Sequence, residues 1–62
     1  MRRYYIAYVV TDYNAHTNDF FDITLEFEYN PTIGMIKDKI RDSTNFYDVS
    51  LTIISVINTA TL

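Results

Sequence analysis

The sequence predicts an α+β domain of order ββαβ: a three-stranded sheet, ordered 2-1-3, with one helix packed on one face. Three features predict it. "YYIAYVV", residues 4 to 10, is apolar or aromatic at both parities. "FFDITLEFEYN", residues 20 to 30, alternates with period two. Ile33, Ile36 and Ile40 then recur at spacings of three and four before a third β-rich run. Strand side chains change face at every residue, whereas helical ones return every third or fourth, so the two periods separate the elements.

The first strand carries Tyr4, Ile6, Tyr8 and Val10 at even positions and Tyr5, Ala7, Val9 and Thr11 at odd ones. A strand apolar on both faces belongs in the centre of a sheet. "DYNAHTND", Asp12 to Asp19, is rich in turn-forming Asn and Asp and reads as a mobile loop, too long for a two-residue hairpin turn. In the second strand Phe21, Ile23, Leu25, Phe27 and Tyr29 share one face, and Asp22, Thr24, Glu26 and Glu28 the other. That pattern is a half-buried antiparallel strand with a wet outer side.

Asn30-Pro31 ends the second strand, because proline cannot continue the ladder. Thr32 is placed as a helix N-cap, and a helix of three turns runs from Ile33 to between Asp42 and Asn45. Lys37, Asp38, Arg41 and Asp42 form its polar side. Gly34 in its first turn makes the helix dependent on docking. In "VSLTIISVIN" the residues Val49, Leu51, Ile53 and Ile57 fall on one face, while Ser50, Thr52, Ile54 and Val56 fall on the other; "TATL" is a tail. A helical connection favours parallel second and third strands. The apolar first strand then lies between them.

The 62 residues make one domain with a small core, and without cysteine no disulfide or thiolate metal site can reinforce it. One helix covers one sheet face. The other face, assigned one parity of the first strand plus Ile54 and Val56, is then a contiguous apolar patch of a kind that monomers rarely expose. Small scaffolds without staples also rely on association. The expectation is a homo-oligomer, most simply a two-fold dimer packed sheet face on sheet face, with Tyr4, Tyr8, Ile54 and Val56 at the interface.

The net charge of −3 runs against direct binding to a nucleic-acid backbone. The longest apolar runs are too short to cross a bilayer. The expectation is a soluble cytoplasmic protein with no membrane association. No nucleophile–base pattern or glycine-rich phosphate loop occurs, so no catalytic residue and no cofactor are assigned and the chain is read as non-enzymatic. His16, the single histidine, is read as an exposed loop residue, since a lone imidazole among aspartates is a poor metal site. Binding chemistry is more visible. Arg2, Arg3, Tyr5 and Tyr13 are residue types that dominate binding hot spots and stack on bases, which suits a small anionic ligand such as a nucleotide. Glu26 and Glu28, with Asp12, Asp19 and Asp22, form an acidic set suited to a basic groove on another protein.

Across nearly its whole length the chain resembles small ββαβ proteins of phages and mobile elements of low-GC bacteria. The similarity lies in "YYIAYVV", a loop, "FFDITLEF", a helix rich in Ile, Lys and Asp, and "VSLTIISVI". That group often has glycines in the first loop, where this chain has "DYNAHTND". The resemblance implies the same fold and a phage accessory role, with counter-defence by stoichiometric binding of a host protein or a signalling nucleotide. The alternative is a structural or assembly module of a virion or replication complex.

Overall fold

The computed structural model describes residues 1–61. Strand β1 (Arg2–Asp12) is followed by β2 (Thr17–Phe27), helix α1 (Ile33–Thr44), strand β3 (Ser50–Asn58) and a 3-10 turn at Thr59–Thr61. The sheet order is β2-β1-β3, with both neighbours antiparallel to β1. This is the expected ββαβ architecture. Leu62, the end of the expected tail, lies outside the described residues.

The face of β1 that meets the helix is chosen by β2. Tyr4, Ile6 and Tyr8 stand opposite Leu25, Ile23 and Phe21, while Arg3, Tyr5 and Ala7 stand opposite Glu26, Thr24 and Asp22. Paired residues share a face, so the polar parity of β2 turns the odd residues of β1 outward. The even residues join Leu25, Phe27, Leu51 and the helical Ile36 and Ile40 in the core. Tyr4 and Tyr8 are therefore not at an outer-face interface: they are 5% and 2% exposed beneath the helix. The Tyr4 hydroxyl meets its hydrogen-bonding need by donating to Asn30 Oδ1 at 2.6 Å.

Helix α1 forms where expected. Thr32 caps it, its side chain accepting from the Met35 amide at 3.2 Å, and Asn45 ends it in the left-handed conformation at φ 63°. An 11-residue strand spans about 36 Å and a 12-residue helix about 18 Å, so the helix covers only half the length of the sheet. The segment after the helix extends the cover: Phe46 packs on Phe21, whose ring stacks on Tyr8, with centroid distances of 5.4 and 5.9 Å.

Two local features differ from expectation. The first connection is a tight turn. The ladder continues through Thr11–Asn18 and Asp12–Thr17, leaving only Tyr13 to His16 between the strands. The Asp12 carboxylate accepts from the amides of Asn14 and Ala15, and His16 takes φ 56° to reverse the chain. The second feature is a bulge in β3. Ala7 pairs with Ser55 and Tyr8 with Ile53, so Ile54 is an extra residue. Beyond it the alternation reverses: Val56 stands opposite Ile6 on the helix side, and Ile57 opposite Tyr5 on the outer side. Ile54 and Val56, expected on one face, lie on opposite sides of the sheet.

Candidate functional site

The outer face of the sheet is built from the odd residues of β1 and their partners. At one end Arg3 and Glu26, a directly opposed pair, form an ion pair at 3.0 Å. One step along, the Tyr5 hydroxyl donates to Asp22 Oδ2 at 2.7 Å across the diagonal of the ladder. That hydrogen bond, with slight burial and the nearby carboxylate charge, raises the Tyr5 pKa above its ordinary value near 10. The same carboxylate adds to the burial that raises Tyr8.

Ala7 lies between Asp22 and Ser55. Its single methyl, set among larger side chains, leaves a groove of about 400 Å³ walled by Tyr5, Phe20 and Ile54, with Asp22 at its side. Phe20 stands opposite Val9 on this face and is 81% exposed; Ile54 is 59% exposed. An apolar hollow beside a carboxylate, with an aromatic ring standing in water, is contact chemistry.

The residues expected to bind are dispersed. Arg3, Tyr5 and Glu26 share the outer face. Arg2 lies opposite Phe27 and donates to Asn30 Oδ1 at 2.6 Å. Tyr13 is in the hairpin turn, about 35 Å along the strand from Arg2 and Arg3, so no single cleft contains all of them. Glu28 follows the end of β2, Asp19 pairs with Val10 on the helix side, and Asp12 holds the turn. The acidic set thus reduces, on this face, to Asp22 and Glu26. A second groove, of about 430 Å³, lies at the hairpin tip between Tyr13 and His16. Among the described residues no group of three His, Cys, Asp or Glu gathers to hold a metal ion.

Phe20 and Ala7 are the residues that sequence reasoning missed. Phe20 carried a usable signal: it has the parity of Asp22, Thr24 and Glu26, an aromatic ring on the wet side of an alternating strand. No protein-family model matches the chain, and no curated protein or solved structure does either. Fold and surface together define a small ββαβ domain with an exposed, mixed apolar and acidic sheet face.

Proposed function

We propose that this chain is a non-catalytic binding protein that acts stoichiometrically on another protein through the outer face of its sheet. Phe20, exposed beside the Ala7 groove with Asp22 at the groove's side, carries this reading. The matching surface has an apolar socket for the ring and a basic rim, since aromatic anchors supply affinity and opposite charge guides encounter. The phage accessory setting implied by the resemblance makes the target a host protein in the cytoplasm and the role counter-defence. A small anionic ligand is less well served. Arg3 is engaged by Glu26 and Arg2 by Asn30, and the charge at the groove is a carboxylate.

The test is affinity capture from a low-GC bacterial host with tagged wild-type chain and the Phe20→Asp variant in parallel. The expected result is one stoichiometric protein, absent with Phe20→Asp and released at ionic strengths where the Debye length falls to about 3 Å. Capture that ignores the Phe20 substitution overturns the reading. So does native mass spectrometry showing a retained nucleotide and no protein.

A further inference from the structure

The two edges of the sheet are built differently. On β2 the Lys39 ammonium donates to the Glu26 carbonyl at 2.9 Å, and the strand carries Asp19, Asp22 and Glu26. Charged side chains and covered carbonyls of this kind discourage pairing with other strands. The opposite edge, β3, has neither. Ser50–Asn58 holds no charged residue, no proline and no glycine. Among the described residues, Ser50 to Ile57 make no backbone hydrogen bond beyond the ladder to β1. Apart from the bulge at Ile54 the edge is unguarded, and a long, uncharged, uncovered edge is a template for another strand that can accommodate that bulge.

Three exposed apolar side chains on this strand say where the partner sits. Ile54 and Ile57 are 59% and 37% exposed on the outer side, and Val56 is 37% exposed on the helix side. A partner on one face of the sheet leaves the other side's residue open; a partner at the edge borders all three. The bulge then selects a register. An antiparallel two-fold pair must set outward residues against outward ones, and inward against inward. Thr52, Ile54, Ser55 and Ile57 are outward, whereas Leu51, Ile53 and Val56 are inward. Centring the axis on any single residue brings opposite sides into register within a few residues. Centring it between Ile54 and Ser55 matches sides along the strand: Ile53 meets Val56 of the second copy, and Thr52 meets its Ile57.

We propose that β3 pairs antiparallel with β3 of a second copy about a two-fold axis between Ile54 and Ser55, joining two three-stranded sheets into one. The absence of charge lets the strand meet itself without repulsion, which β2 with its three carboxylates cannot do. This inference stands apart from the partner-protein reading, because Phe20 lies on the far strand and stays open in the dimer.

The chain has no cysteine, so the register can be tested by cross-linking full-length Thr52→Cys and Ile57→Cys variants. Directly opposed residues lie about 4.5–5.5 Å apart at Cα, within disulfide range. Mixed and oxidised, the two variants are expected to form a disulfide-linked heterodimer. Alone, each places its two thiols about 16 Å apart and stays unlinked. Sedimentation of the wild type at about 100 µM should give twice the 7.3 kDa chain mass, unchanged by Phe20→Asp. A monomer at about 1 mM overturns the proposal. A dimer in which the mixed pair fails to cross-link overturns it too; if Phe20→Asp also dissociates that dimer, the copies meet through their outer faces.

Discussion

Val56 stands directly opposite Ile6 on the helix side of the sheet, although plain alternation from Leu51 would turn it outward. The cause is one inserted residue, Ile54, and the consequence can be tested by deletion. Removing Ile54 leaves Ser55 opposite Ala7 and Ile53 opposite Tyr8, so every other ladder pair survives. The deletion variant should fold and melt within a few degrees of wild type. Ile6→Ala, which empties a fully buried site, should cost about 2–5 kcal/mol out of the roughly 3–9 expected for so short a chain. Thermal melts at matched concentration compare the two. Equal losses would show that the bulge is as necessary as the core.

The helix depends on its ends because only Ile36 and Ile40 are buried along it. Thr32→Ala removes the acceptor for the Met35 amide and should cost about 1 kcal/mol, lowering the melting temperature by about 4–8 °C. Asn45 already holds φ 63°, a conformation glycine adopts without strain, so Asn45→Gly should be neutral within a few tenths of a kcal/mol or stabilising. Asn45→Val should lose about 1–2 kcal/mol. Urea midpoints at constant m-value measure all three.

These ends also show how far the sequence could be read. Thr32, the isoleucine spacing and the alternation of β2 are local signals, and each led to the right element. The order 2-1-3 followed because an apolar central strand and a polar edge strand demand different neighbours. The bulge at Ile54 has no local signal: Ile53-Ile54-Ser55 is equally consistent with an unbroken strand, and only pairing with β1 inserts the extra residue. The parity of β1 was hidden for a similar reason. Its two faces are nearly equal in hydrophobicity, so the choice is made by β2 across the ladder. The hairpin was hidden because Thr17 to Asp19 are polar and exposed, held by main-chain pairing and by Asp12 rather than by burial. The groove needed both answers, since it exists only where Ala7 faces outward beside Phe20.

Asp22 ties the outer face to pH. Its carboxylate accepts from the Tyr5 hydroxyl and raises that pKa; its charge also contributes to the elevation of Tyr8. A tyrosine whose folded pKa lies above its unfolded one binds its proton more tightly when folded. Its contribution is complete below the unfolded value near 10 and is lost as pH rises through the folded value. The domain should therefore lose stability above about pH 10. Asp22→Asn should move the late-titrating part of the tyrosinate absorbance toward lower pH, while the melting temperature at neutral pH shifts little because Tyr5 is largely in water. An unchanged titration curve would remove Asp22 as the cause.

Pairing through β3 would leave β2 at both outer edges of the joined sheet, so the guard on β2 decides whether assembly stops at two copies. Lys39 contributes twice: its ammonium occupies the Glu26 carbonyl and lies 5.0 Å from the centre of the Phe27 ring. The ring is buried but the ammonium is exposed to water, and a cation at such a site contributes about 0.5–1 kcal/mol. Lys39→Ala should lower stability by that amount and free one edge carbonyl, yet Asp19, Asp22 and Glu26 still oppose a second β2. The triple variant Lys39→Ala, Asp22→Asn, Glu26→Gln loses the cover and most of the charge together. It should form particles larger than a dimer, with light scattering that rises with concentration, while Lys39→Ala alone stays dimeric. If the triple variant also stops at two copies, the strand edge is closed by its twist and not by its side chains.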